Sequence, residues 1–82
     1  MTKQEILHYL SDILVEAFEI DPAQIVIAAR LREDLDIDSI DAVDLMLKMR
    51  PHFGQGLQPE VFKSVRTIGD VVEALYALRA AE

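Results

Sequence analysis

Near the start of the chain, Ile6, Leu7, Leu10, Ile13, Leu14, Ala17 and Phe18 recur at a helical step with polar residues between them. That period places them on one face of an α-helix. Thr2-Lys3-Gln4-Glu5 stands just before, a threonine followed three residues later by a glutamate. In that pattern the threonine oxygen accepts from a first-turn amide and the glutamate reaches back to the threonine amide. A helix is therefore predicted over residues 3–19. Asp21-Pro22 ends it and opens a short turn, because proline lacks an amide donor and restricts the residue before it. Residues 23–38 carry Ile25, Ile27, Leu31 and Leu35 without a sustained period. They read as a long ordered loop pinned by those four side chains. Irregular stretches of this length are uncommon in compact domains and are often functional.

A second helix is predicted over residues 39–49, with Asp38 as its N-cap and Asp41 three residues later. Gly54, Gly56 and Pro59 punctuate the next stretch of chain. Residues 59–64 can hold one short helical turn carrying Val61 and Phe62. Thr67 then caps a last helix whose Ile68, Val71, Val72, Leu75 and Leu78 share a face. No strand pattern competes and no internal repeat is present. The expected fold is all-α: a small antiparallel four-helix bundle, three main helices and one short, with a long loop between helices one and two. One domain over residues 1–82 is expected.

Composition narrows what such a bundle can do. A chain of 82 residues buries only about 60–65% of its unfolded surface, which leaves little room for a deep, water-excluded active site. An interaction or carrier role is favoured over catalysis. The net charge of −7, from 15 acidic and 8 basic residues, repels nucleic-acid phosphates and anionic lipid. Proteins with basic docking surfaces are the natural partners. There is no cysteine, hence no disulfide framework, thiol nucleophile or cysteine–zinc site. Residues 6–18 are interrupted by His8, Ser11, Asp12 and Glu16, so they form neither a signal segment nor a membrane span. A cytoplasmic location without stable membrane insertion is expected.

The most informative stretch is residues 33–44, Glu-Asp-Leu-Asp-Ile-Asp-Ser-Ile-Asp-Ala-Val-Asp, where six of twelve residues are acidic and none is basic. A solvated helix face would account for the acids alone. Ser39 at the centre sits where loop becomes helix. If Asp38 is the cap, the Ser39 hydroxyl is free to point outward. A phosphate attached there would gain from the amide donors and positive dipole end of the helix. The competing reading makes Ser39 itself the cap. The second helix has two apolar stripes at about 100° per residue. Ala42, Leu45, Met46 and Met49 form one, assigned to the core. Ile40, Val43 and Leu47 form the other, with Asp41, Asp44 and Lys48 between the two stripes on one flank. Either a neighbouring element covers the second stripe, or it is an exposed docking strip rimmed by acids.

Two other chemistries fit poorly. Asp34, Asp36 and Asp38 match the first alternating ligands of an EF-hand, but that loop needs glycine and glutamate where Ser39 and Leu45 stand. Serine catalysis lacks a Gly-x-Ser-x-Gly elbow, and an acidic surround offers no oxyanion stabilisation. His8, on the polar side of helix one, and His52, just beyond helix two, are the only histidines. No motif ties either to Ser39, and no enzymatic activity is expected. A helical interaction module without a prosthetic group would share the fold.

Residues 31–45, Leu-Arg-Glu-Asp-Leu-Asp-Ile-Asp-Ser-Ile-Asp-Ala-Val-Asp-Leu, resemble the modification segment of acyl carrier proteins. That family's core is Asp-Ser-Leu, with acids before it and Asp-x-Val-Glu-Leu after it. The likeness extends to chain length, acidity, helix order and Thr67-Ile68-Gly69-Asp70-Val71. It implies that Ser39 receives 4′-phosphopantetheine from coenzyme A through a phosphodiester, and that the arm's thiol holds acyl or polyketide chains as thioesters. The cysteine-free chain would thus import its sulfur. It also implies that basic grooves on partners read Asp38, Asp41 and Asp44, while Ile40, Val43 and Leu47 make the apolar contact. The implied partners are a phosphopantetheinyl transferase, then ketosynthase, acyltransferase, reductase and dehydratase enzymes, with the free chain a monomer. The sequence departs from the family at Ile40, at Asp36-Ile37 where a glycine-containing pair is common, and at Asp44 in place of glutamate. Residues 38–44, with Phe62-Lys63-Ser64-Val65-Arg66-Thr67 later, are similar to carriers of bacterial aryl-polyene pathways. General fatty-acid synthesis is the close alternative.

Overall fold

The structure, a computed structural model, describes residues 2–53 and 63–80. The first helix, α1, spans Lys3–Phe18. Its reciprocal cap is formed as the sequence predicts: the Glu5 amide donates to Thr2 Oγ1 at 3.1 Å and the Thr2 amide to Glu5 Oε1 at 2.8 Å. Hydrogen bonding to Thr2 holds the Glu5 carboxyl below the usual glutamate range. The helix stops before Asp21-Pro22 is reached. Glu19 turns left-handed at φ 56°, and the Ile20 amide folds back to the Leu14 carbonyl at 3.2 Å, a C-terminal arrangement that satisfies a carbonyl left free by the helix. Asp21 instead starts a separate 3-10 turn over Pro22–Gln24, its carboxylate accepting from the Ala23 amide at 2.9 Å.

The second helix, α2, spans Ser39–Phe53, four residues beyond its predicted end, with Pro51 inside it. Proline costs a helix interior roughly 3 kcal/mol relative to alanine. Phe53 supplies an offset, since full burial of such a side chain contributes about 1.5–3 kcal/mol and Phe53 is wholly enclosed. The Tyr9 ring adds to it, stacking on His52 with centroids 4.4 Å apart and meeting Phe53 edge-on at 5.9 Å. His52 therefore lies within α2, not beyond it.

The last helix, α3, spans Ile68–Ala80. Thr67 caps it: the Asp70 amide donates to Thr67 Oγ1 at 3.1 Å, while the Asp70 carboxylate accepts from the amides of Thr67 and Arg66 at 3.2 and 3.1 Å. Those two amides hold the Asp70 carboxyl below the usual aspartate range. The predicted short helical turn over residues 59–64 lies outside the described residues except at Lys63 and Ser64.

Among the described residues, three helices and a 3-10 turn make a small all-α bundle. Among the described residues there is no strand, only an isolated antiparallel bridge between Arg30 and Thr67. One hydrophobic cluster joins all parts: Ile6, Leu10 and Leu14 from α1, Leu45, Met46, Met49 and Phe53 from α2, and Ile68, Val71, Val72 and Leu75 from α3. The long loop adds Ala29, Leu31, Leu35 and Ile37. Leu31 and Leu35 pin it as expected and Ile25 is half-buried, but Ile27 is 53% exposed. The Ile27 segment is held by its backbone instead. The amides of Ile68 and Gly69 donate to the carbonyls of Ala29 and Ile27, each at 2.9 Å, and the Leu31 amide to the Arg66 carbonyl at 2.8 Å. First-turn amides of a helix have no acceptor within it, so loop carbonyls complete the cap of α3. That lashing fixes the loop that leads into Ser39.

Candidate functional site

Asp38 is the cap of α2. Its Oδ1 accepts from the Asp41 amide at 2.9 Å and its carbonyl from the Ala42 amide at 2.9 Å. The competing reading of Ser39 as the cap is thereby overturned. Ser39 is the first residue of α2, exposed, and its side chain makes no hydrogen bond among the described residues. The residue before the cap, Ile37, is buried, and its amide donates to the Leu31 carbonyl at 2.8 Å. Asp36 between two buried neighbours takes φ 57°, a left-handed conformation that glycine adopts freely and aspartate better than most residues. A free hydroxyl thus stands on a backbone fixed from both sides.

The two stripes of α2 separate as the helical period predicts. Leu45, Met46 and Met49 are buried and Ala42 packs against them half-buried. Ile40, Val43 and Leu47 are 79%, 45% and 51% exposed. Among the described residues, no neighbouring element covers the second stripe. Asp44 borders it, exposed, with Lys48 Nζ at 3.4 Å one turn on. Asp41 is half-buried and turns toward the loop, lining a cleft with Asp36 and Ile37. Asp38, Ser39, Ile40, Asp41, Val43, Asp44 and Leu47 thus share the first turns of one helix, but Asp38 is engaged as a cap.

Asp34 is engaged too. Its carboxylate accepts from the Arg30 amide at 2.7 Å and from the Arg30 guanidinium at 3.3 Å. These bonds hold its carboxyl below the usual aspartate range and raise the Arg30 guanidinium. Among the described residues no group of three His or acidic side chains is placed to hold a metal ion. No described helix is long and apolar enough to cross a membrane.

Beside Ser39 a groove of about 850 Å³ opens between the loop, α2 and residues 63–67. Leu31, Ile37, Ala42, Val43, Met46 and Val65 give it an apolar lining, and Arg30, Arg32, Lys63 and Arg66 give it basic side chains. Sequence reasoning missed this cluster. Its members lie in two separate segments that the Arg30–Thr67 bridge helps to bring together.

A family described as the phosphopantetheine attachment site matches residues 8–75. Acyl carrier protein 2 of Ralstonia nicotianae is 52% identical over 81 residues, 99% of this chain and all of its own length. The chain belongs to the acyl carrier protein family. The acyl carrier protein of Lactobacillus acidophilus is 32% identical, covering 88% of this chain and 90% of that relative. The meromycolate extension acyl carrier protein of Mycobacterium bovis is 32% identical over 98% of this chain and 79% of its own. As an acyl carrier protein the chain carries covalently attached 4′-phosphopantetheine and works with a phosphopantetheinyl transferase and synthase enzymes. An exposed, uncommitted hydroxyl at a helix N-terminus suits a phosphodiester, because first-turn amides and the helix dipole favour an anion there.

Proposed function

We propose that Ser39 bears the arm and that the second apolar stripe of α2 is the surface by which enzymes take hold of the carrier. The observation that carries this is the free, exposed hydroxyl of Ser39 at the head of a helix whose Ile40, Val43 and Leu47 are left uncovered. Of the three serines, Ser11 is half-buried within α1, and Ser64 is exposed but outside any acidic, apolar-striped helix. In the modification step the Ser39 oxygen attacks the coenzyme A phosphorus bonded to pantetheine. Its proton passes to a base on the transferase, the pyrophosphate bond breaks, and adenosine 3′,5′-bisphosphate leaves. When bound, the arm supplies the thiol on which acyl groups are held as thioesters.

The chain's own contribution is to present and be recognised. Asp44 at the edge of the strip, with Asp41 and Asp38 nearby, steers basic partner surfaces, and the strip makes the apolar contact. We read the cargo as acyl or polyketide intermediates of fatty-acid-like or aryl-polyene synthesis. The run Asp38-Ser39-Ile40-Asp41-Ala42-Val43-Asp44 supports the aryl-polyene branch. Ketosynthase, acyltransferase, reductase and dehydratase enzymes are the partners, and the carrier itself does no chemistry. The buried cluster that joins the described helices supports one unit over residues 1–82, and we read the carrier as a monomer of the cytoplasm.

The test is intact mass after incubation with coenzyme A, magnesium and a phosphopantetheinyl transferase. Wild type should gain one arm, and Ser39→Ala should gain none while keeping its helical signal. An arm acquired by Ser39→Ala would overturn the assignment.

A further inference from the structure

The groove beside Ser39 is lined by more basic than acidic side chains among the described residues, in a chain that is acidic as a whole. The chain is strongly acidic at −7, yet among the described residues Arg30, Arg32, Lys63 and Arg66 line this groove against Glu33 and Asp38. Half of the chain's eight basic residues gather there. Two are already engaged: Arg30 pairs with Glu33 and Asp34 at 3.7 and 3.3 Å, and Arg66 interacts with the Asp70 carboxylate. Arg32 and Lys63 make no ion pair among the described residues. Basic side chains around an apolar groove are the charge complement of an anionic occupant.

Size and position narrow the occupant. About 850 Å³ is within the roughly 300–1,000 Å³ typical of small-molecule sites. The apolar lining suits a hydrocarbon segment, and Ser39 and Val43 stand on its wall, within reach of a group tethered to that serine. Resting on the carrier reading above, we propose that this groove selects acyl cargo ending in a carboxylate, its chain on Ile37, Met46 and Val65 and its charge at Arg32 and Lys63. A plain alkyl cargo would satisfy the apolar wall and leave both cations unanswered.

The experiment loads the full chain with two arms of matched length, octanoyl and its ω-carboxyl counterpart suberyl, from the corresponding coenzyme A thioesters and a transferase. Intact mass is read first. Failure to load wild type, or loading of Ser39→Ala, removes the carrier reading and this proposal together. On loaded protein, amide NMR shifts at residues 30–33 and 63–67 are compared with those of the free-thiol arm. The suberyl arm should produce the larger shifts. They should fall to the octanoyl level in about 0.5 M salt, where screening acts within a few Å, and equally in loaded Arg32→Gln/Lys63→Gln. Equal shifts from the two acyl arms would overturn the selectivity while leaving the carrier reading intact. So would suberyl shifts that survive salt and the double variant, or shifts already complete with the free-thiol arm, which would assign the cations to the arm's phosphate.

Discussion

Gly69 is a point of close approach between the long loop and α3. Its amide donates to the Ile27 carbonyl at 2.9 Å, and a Cβ there would lie 2.7 Å from Ile27 Cγ2 and 3.2 Å from that carbonyl oxygen. In an ordinary helix position alanine is favoured over glycine by about 1 kcal/mol. Here the crowded atom belongs to a β-branched side chain close to its backbone, which yields little. Gly69→Ala is therefore expected to lower the melting temperature, and a rise would mean that Ile27 moves aside. Residue-scale features differ in how far the sequence discloses them. The caps at Thr2, Asp38 and Thr67 are legible because each is closed by a residue three positions on. The constraint on Gly69 is not, because Ile27 is distant in the chain. Asp36, where the family commonly carries a glycine-containing pair, stands out in the sequence only as a departure. Its φ of 57° supplies the backbone reason a glycine suits that region.

At the scale of the element, α2 is decisive, since one helix must be core on one side and contact surface on the other. Val43→Ser and Leu47→Ser should change folding stability by no more than roughly 0.5 kcal/mol, as ordinary surface substitutions do. Leu45→Ser removes wholly enclosed methyls and adds an unpaired hydroxyl, at a cost of about 2–5 kcal/mol. Urea melts of the three variants read this directly. Comparable losses at all three would mean that the second stripe is core. The two-faced pattern is legible because helical period alone separates the stripes. The end of α2 is not. Pro51 lies inside the helix, and the enclosure of Phe53 and the stacking of Tyr9 on His52 offset its cost. The loop is half legible. Leu31 and Leu35 are buried as their apolar character suggests, whereas Ile27 is tied down by its carbonyl, for which side-chain patterning has no signal.

At the scale of the whole molecule, charge is the organising feature, and its sign is plain from composition while its distribution is not. The gathering of Arg32, Lys63 and Arg66 beside Ser39 depends on two segments meeting in space. On the acidic side, Asp44 offers the cleanest test of steering, because Asp38 is engaged as a cap and Asp41 is half-buried. Asp44→Lys replaces the pairing with Lys48 by a like-charge neighbour, which costs a helix only about 0.2–0.5 kcal/mol. Association with a transferase should nonetheless slow at low salt, and its salt dependence should flatten. Unchanged kinetics would reduce Asp44 to a solvated charge. Steering matters only if the cofactor sits on the atom that α2 presents. Proteolysis of the modified wild-type chain, followed by fragmentation mass spectrometry, assigns the arm among Ser11, Ser39 and Ser64 without relying on a loss of function. The added mass is expected on Ser39 alone, and an arm found on Ser11 or Ser64 would contradict that assignment.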